Sequence, residues 1–214
     1  MCGIIGFYSK NVTKEHLTVL QKVMTESSIR GRHASGIAWY NGRAILSVVE
    51  PIPIDELVEE FDFNVLPYGK DKSVSMIAHA RYSTSDIKYN QPLKGTKMAI
   101  AHNGVISQSD PSEWHSKYGY TCKTKNDSEL LLHALESGDD IQKKFPGASI
   151  ASAILDDCGN VYYIRNKYRP LWKGKIGDGI IVASTFDILN RAGVSDIQKI
   201  ESSDGEELQW RYLQ

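Results

Sequence analysis

The chain is short of net charge, of cysteine and of long apolar stretches, and each shortage removes a class of function. Lysine and arginine number 25 against 26 acidic residues, a net charge of -1. That balance gives no reason to expect a nucleic acid or an anionic membrane surface as partner. No apolar run approaches ~20 residues, so no membrane-spanning helix is expected. The start lacks the basic region and apolar core of a secretory signal, and a cytoplasmic location is expected. With no signal segment before it, Cys2 does not read as a lipid anchor, and myristoylation would need glycine at that position. Cys2, Cys122 and Cys158 are an odd, scattered set, suited to a reducing compartment rather than to a disulfide framework. No pair of cysteines or histidines has zinc-site spacing, so neither a metal nor another cofactor is expected. Repeats, low-complexity stretches and linkers are also missing. What is present is ordinary for a globular protein: 214 residues, 41% hydrophobic, enough for a substantial core in one generous domain or two small ones.

The opening, Met1-Cys2-Gly3-Ile4-Ile5-Gly6-Phe7, is the most informative stretch. Trimming of the initiator methionine before a small residue leaves Cys2 with a thiol and a free α-amine on one residue. The thiolate is the nucleophilic form of cysteine, and an α-amine titrating near 7.7–8 is a base within reach of the thiol proton. The apolar run behind Cys2 reads as a buried strand that holds it. An ordinary buried cysteine at the start of a strand is the alternative.

Further along, Thr13 reads as an N-cap, and Leu17, Leu20, Val23 and Met24 recur at helical spacing to about Ser27. A Gly-bearing turn covers Ile29 to Gly36. A hairpin of Ile37–Tyr40 and Arg43–Val49 turns at Asn41-Gly42. Asp55 reads as the cap of a short helix through Phe61. Val74–Ala80 is a strand, and Asn90-Gln91-Pro92 a turn. Met98–His102 and Val105–Ser107 read as two strands around a second Asn-Gly, Asn103-Gly104. Helices are expected over Pro111–Lys117 and Ser128–Glu136, with a short one after Asp139. Strands follow at Ala148–Leu155, Val161–Arg165, Pro170–Trp172 and Gly179–Ala183, then a helix at Phe186–Arg191. Two last strands fall near Ile197–Glu201 and Glu206–Tyr212. Many strands with few helices predict an α+β fold of stacked antiparallel sheets covered by helices.

If Cys2 attacks a carbonyl, an oxyanion must be held. The Asn103 side-chain amide and the Gly104 N–H offer donors, though Asn-Gly is also the commonest hairpin turn, as at Asn41-Gly42. Arg81 suits a substrate carboxylate and otherwise reads as a surface arginine. Asp127 suits an ammonium and otherwise caps a helix within Asn126-Asp127-Ser128-Glu129. Arg30 and Gly31 read as a helix end with its C-cap. His33, His79 and His102 lack a recognisable catalytic partner and read as structural.

Taken in order, these pieces resemble the glutaminase domain of class II glutamine amidotransferases, which are N-terminal-nucleophile hydrolases. Cys2-Gly3-Ile4-Ile5-Gly6 is similar to the family's opening, and Arg30-Gly31 with Ala34-Ser35-Gly36 to its first glycine-rich turn. His79-Ala80-Arg81-Tyr82-Ser83-Thr84 with Asn90-Gln91-Pro92 resembles its arginine loop, most closely as found in amidophosphoribosyltransferases. Ala101-His102-Asn103-Gly104 matches the oxyanion motif and Asn126-Asp127-Ser128-Glu129 the acidic motif. Arg169-Pro170-Leu171 and Asp178-Gly179 to Ser184 resemble later strands.

The resemblance spans nearly the whole chain. It implies a single domain, 1–214, without an acceptor domain, and a four-layer sandwich with two antiparallel sheets between helical layers. It also implies L-glutamine as substrate and a separate ammonia-accepting synthase subunit as partner. Cys2 would attack the side-chain amide, forming a γ-glutamyl thioester, with its α-amine as base and then acid. Asn103 and Gly104 would hold the oxyanion, and Arg30 would position the N-terminal loop. Arg81 would bind the substrate α-carboxylate and Asp127 its α-ammonium, with Gly31, Tyr82 and Thr84 lining the pocket. Three positions depart from the family: His33 stands where an acid is usual, Ser85 where some members have histidine, and Tyr82 where the sugar-phosphate branch has tryptophan. Two rival readings remain at this stage. An amidase acting on another γ-glutamyl amide would be separated by substrate competition. A non-catalytic partner keeping the fold would be favoured by loss of Cys2, Asn103 or Arg81, and all three are present.

Overall fold

The structure is a computed structural model that describes residues 1–70, 72–82, 89–166, 168–202 and 211–213. The chain opens with strand β1 (Gly3–Lys10) and helix α1 (Lys14–Glu26), followed by a 3₁₀ turn (Ser27–Arg30). Strands β2 (Ala34–Tyr40) and β3 (Ile45–Glu50), helix α2 (Ile54–Glu60) and strand β4 (Ser73–Arg81) come next. Then follow β5 (Leu93–Lys94), β6 (Met98–Val105), α3 (Trp114–Tyr118), α4 (Ser128–Ser137) and α5 (Ile141–Lys144). The remainder is β7 (Ser149–Asp156), β8 (Val161–Arg165), β9 (Trp172–Ile176), β10 (Gly179–Ala183), α6 (Phe186–Ala192), β11 (Ser195–Lys199) and β12 (Arg211–Tyr212). No helix among the described residues is long and apolar enough to cross a membrane.

Most elements follow from local pattern. Thr13 caps α1 as expected, its hydroxyl accepting from the His16 N–H while the His16 ring accepts from the Thr13 N–H. Several readings need correction. Ala34–Gly36 are the start of β2 and not a turn, because they pair with Arg81, Ala80 and His79 of β4. Pro53, not Asp55, is the cap of α2, and Asp55 lies in the first turn, paired with Arg32 at 3.0 Å. Residues 111–118 divide into a 3₁₀ turn (Pro111–Glu113) and α3. Pro170 and Leu171 precede β9, which runs on to Ile176. Of the strand expected at Glu206–Tyr212, the described part is β12. β5 was not anticipated: a two-residue strand carries too little pattern to read.

Two antiparallel sheets stack between helices. One has the order β11-β9-β10-β1-β4-β2-β3, the other β12-β8-β7-β6-β5. Three apolar clusters separate four layers. Leu20, Val23 and Met24 of α1, Leu57 of α2 and Leu189 of α6 pack on Ile5, Phe7, Ile37 and Met76 of the larger sheet. Leu130, Leu131 and Leu135 of α4 pack on Ile100, Ile150, Ile154 and Ile164 of the smaller sheet. Between the sheets lie Ile4, Ala38, Ile77, Ala99, Ala101, Ala151, Ala153 and Val182. The period-2 pleat explains why β1, β4, β6 and β7 read as continuous apolar runs: both faces are buried. The expected four-layer α+β architecture is therefore present.

The largest correction concerns Asn103-Gly104. These residues do not turn. β6 runs straight through them, with Asn103 opposite Ala151 and Gly104 opposite Ile150 of β7. Glycine is needed at 104 for close approach, since a Cβ there would lie 1.7 Å from the Ser149 carbonyl oxygen. Asn41-Gly42 is the true turn: the Asn41 side chain accepts from the Arg43 and Ala44 N–H groups, and Gly42 has φ +92 with open space around it. The two dipeptides should respond differently to alanine. Gly42→Ala should cost about 1–2 kcal/mol, the price of a left-handed backbone. Gly104→Ala should cost more than the roughly 1–3 kcal/mol of ordinary overpacking, because backbone must move. Urea unfolding of the two variants measures the difference, and equal losses would contradict it.

Candidate active site

The inter-sheet layer ends in polar residues, and the pleat decides which. On β1, Ile4 faces the other sheet, and Cys2, two residues before it and just ahead of the strand, is at the same phase. Ile4 stands opposite His79 on β4, where Ile77, His79 and Arg81 share one face. On β6, Ala99, Ala101 and Asn103 share the face that meets them. Three strand ends from two sheets thus converge on a cavity of about 290 Å³. Its walls include Cys2, Arg81, Asn103, Gly104 and Asp127, with Tyr82 at the rim. The volume lies at the small end of ligand sites, in the range for a small polar molecule.

Cys2 is half-buried and held from several sides. The Ile4 N–H donates to the buried Ser184 hydroxyl at 2.9 Å, fixing the start of β1 against the end of β10. Arg30 Nε donates to the Cys2 carbonyl at 3.2 Å, and the Cys2 thiol points to the Tyr82 carbonyl at 3.8 Å. Burial lowers the Arg30 pKa, with Cys2 acting in the opposite sense. The other two cysteines are poor nucleophiles. Burial and the Glu129 charge push Cys122 up to about 12, and Asp156 and Asp157 push up Cys158.

Gly31 does not line the cavity in the way expected. It stands behind the wall, where a Cβ would lie 2.1 Å from the Arg81 carbonyl carbon and 2.3 Å from the Tyr82 nitrogen. Its backbone is extended, φ -177, so glycine is required by packing and not by a helix C-cap. Arg30 likewise acts from behind, through the Cys2 carbonyl.

Arg81 is not a surface arginine. It is 6% exposed, and its Nη1 donates to the Tyr89 carbonyl at 3.0 Å and to the Asn90 side chain. Asp127 occupies the N-cap position of α4 without capping it. Its Oδ2 instead accepts from the Ile106 and Ser107 N–H groups at 2.6 and 3.2 Å, tying the end of β6 to the start of α4. Asn126 does the local capping, accepting from the Ser128 N–H at 3.1 Å. Asn103 is 5% exposed, and its Nδ2 donor is buried with no hydrogen-bond partner. The His33 ring lies tilted beside that of Tyr82, with centroids 5.1 Å apart. Thr84 and Ser85 lie outside the described residues.

The sequence did not reveal the polar hub behind these groups. Gln91 accepts from the His102 N–H at 2.6 Å and donates to the Ser128 hydroxyl at 3.1 Å, and His102 Nδ1 meets the same hydroxyl at 2.8 Å. All three side chains are buried. The Gln91-Pro92 turn signal marks a loop and says nothing of a glutamine folded inward. His79, also on the cavity wall, is 1% exposed with neither ring nitrogen partnered.

The four-layer arrangement is the N-terminal-nucleophile hydrolase fold. The chain superposes on glutamine phosphoribosylpyrophosphate amidotransferase from B. subtilis, solved with ADP and GMP, with a TM-score of 0.70 at 20% identity, over 100% of this chain and 49% of that one. A family described as the glutamine amidotransferase domain matches residues 79–191, over half of the sequence. The chain belongs to that family. It is 28% identical over 226 residues to the amidophosphoribosyltransferase of Methanothermobacter thermautotrophicus, covering 92% of this chain and 45% of that protein. It is 30% identical over 205 residues to the isomerizing glutamine–fructose-6-phosphate aminotransferase of Oceanobacillus iheyensis, covering 86% of this chain and 32% of that protein. The chain spans about half or less of the length of these relatives.

Burial, with Arg81 and His102 nearby, takes the His79 pKa from 6.5 down to about 3. An unfolded histidine binds a proton below pH 6.5 that the folded one refuses, so this contribution to stability is full above 6.5 and shrinks as pH falls toward 3. The loss amounts to about 1.4 kcal/mol per pH unit below that point. Urea unfolding of wild type between pH 7 and 5 should therefore weaken more steeply than that of His79→Gln. Parallel slopes would show that His79 is not held neutral.

Proposed function

We propose that the protein hydrolyses L-glutamine to glutamate and ammonia through a γ-glutamyl thioester on Cys2. The observation that carries this reading is the buried, unpartnered Nδ2 of Asn103 on the wall of the cavity that also holds Cys2. A donor left bare beside a nucleophile suits an anion that exists only during reaction. Membership of the glutamine amidotransferase domain family supports the substrate class.

With Met1 removed, the Cys2 α-amine takes the thiol proton as sulfur attacks the side-chain amide carbon. Asn103 Nδ2 and the Gly104 N–H hold the oxyanion. Its collapse breaks the C–N bond, and the α-ammonium returns the proton to the departing ammonia. Water, deprotonated by the same amine, then cleaves the thioester to glutamate. Arg81 pairs with the substrate α-carboxylate and Asp127 with its α-ammonium, one charge for each end of a free amino acid. That pairing favours glutamine over amides with a blocked head group. Tyr82 completes the pocket rim, while Arg30 and Gly31 work from behind by fixing Cys2 and the Arg81–Tyr82 peptide. We further propose that residues 1–214 act as one glutaminase domain in the cytoplasm, and that a separately encoded synthase takes the ammonia.

The test is glutamate release from glutamine by protein whose N-terminal mass shows a free Cys2. Cys2→Ala should abolish turnover. Asn103→Ala should lower kcat by about 10²–10³, the worth of one oxyanion donor. Arg81→Gln should lower kcat/KM by roughly 10–100-fold, mainly through KM, as expected for a lost charge-assisted contact. Turnover that survives Cys2→Ala would overturn the reading. Labelled ammonia appearing in a product only when a candidate synthase is added would establish the acceptor.

A further inference from the structure

Outside the Cys2 cavity, a second set of reactive side chains meets where the segment between α3 and α4 lies on α4. Cys122 comes from the segment, and Glu129 and His133 stand one turn apart on the helix. One ligand atom from each, thiol sulfur, carboxylate oxygen and ring nitrogen, lies within 4.8 Å of the others. Glu129 Oε1 and His133 Nε2 are 3.7 Å apart. That Nε2 is buried and has no hydrogen-bond partner.

We propose that Cys122, Glu129 and His133 form a binding site for a divalent transition-metal cation of the zinc type. The donor set decides the class. Sulfur and imidazole suit zinc and its neighbours, whereas magnesium and calcium demand oxygen ligands. One thiolate and one carboxylate neutralise a divalent charge, which suits a site whose glutamate is 7% exposed. On binding, the S–H bond breaks, a metal–sulfur bond forms and the proton leaves to solvent. No electrons are transferred.

Glu129 retains the capacity to ligate. Its carboxylate accepts from the Lys123 N–H, the Thr124 N–H and the Thr124 hydroxyl, at 2.7, 2.7 and 2.6 Å. A carboxylate has about four acceptor sites, so one remains, and Oε1 carries only one of these bonds. A tetrahedral centre with bonds of about 2.0–2.3 Å needs the ligand atoms about 1 Å closer than 4.8 Å, within reach of half-buried Cys122 and His133 side chains. Three protein ligands leave a fourth position, and Cys122 lines a cavity of about 570 Å³ from which water or another small ligand can enter.

The scaffold is already in place. Besides the Glu129 bonds, the Tyr120 ring stacks on His133 at 5.4 Å, and its hydroxyl donates to Asp139. The cation therefore joins a formed site and is not needed for folding. The other close group, Asp156, Asp157 and Cys158, is exposed apart from Asp156. Asp156 is already engaged by Cys158, Asn160 and Tyr162 within its hairpin.

The test is Co²⁺ titration of the chelator-stripped full chain, followed by absorption spectroscopy. Wild type and Cys2→Ala should both develop a near-ultraviolet thiolate-to-cobalt charge-transfer band with visible bands of four-coordinate cobalt, and one equivalent of Zn²⁺ should bleach them. Cys122→Ser, with an unchanged circular-dichroism spectrum, should lose the charge-transfer band. His133→Gln should weaken Co²⁺ binding by more than the roughly 10–100-fold that outer-sphere partners are worth. No band in wild type, or a band that survives Cys122→Ser and disappears in Cys2→Ala, would overturn the proposal.

Discussion

The close approach of the two sheets is the constraint on which the rest of the molecule depends. Alanines and Gly6 line the contact, and a Cβ at Gly6 would sit 3.1 Å from that of Ala153. Small side chains let the layers meet without a gap, and the seam then excludes water along most of its length. At one end the small residues give way to Cys2, His79, Arg81 and Asn103. Because the pleat has a period of two, each of these side chains must point where its apolar neighbours point. The cavity thus continues the core at its inner end, where the ends of β4 and β6 wall it, and connecting residues such as Gln91, Ser107, Asn126 and Asp127 complete it.

The cost of this arrangement is visible in the hydrogen bonding. Among the described residues, four of the seven buried side-chain atoms without a partner belong to Arg30, His79 and Asn103. Each such atom costs on the order of 1–3 kcal/mol in lost hydration. Directly behind them, by contrast, Gln91, His102 and Ser128 complete one another. More than half of these unpartnered atoms thus gather around Cys2, where the local hydrogen bonding is least complete.

Sequence pattern carried the layer architecture and most strand and helix positions, because periodicity reports faces and faces define layers. It failed where one residue type serves two geometries. Asn103-Gly104 reads as a turn by composition, and only its β7 partners keep it extended. Arg81 and Asp127 offered a bland reading and a chemical one; burial removes the surface reading of Arg81, and the Ile106 and Ser107 contacts set Asp127 apart from a cap. Gly31 had no local signature, since its need for glycine comes from the Arg81–Tyr82 peptide. The grouping of Cys122 with Glu129 and His133 was likewise hidden, because the spacing resembles no zinc motif and a loop must fold back to bring the sulfur in.

The position of β1 has a consequence for the life of the chain. It precedes both of its neighbours in the chain, yet it is central in its sheet, between β4 and β10. Its anchoring bond joins Ile4 to Ser184, 180 residues away. Contacts of such separation close late in folding, and a chain emerging from the ribosome has not yet produced β10. Cys2 is therefore made before any of its walls, and before the hydroxyl that anchors β1. Cys2 is an unremarkable thiol on the nascent chain, and it acquires its surroundings in order: the ends of β4 and β6 and the start of α4 first, the Ser184 anchor after them.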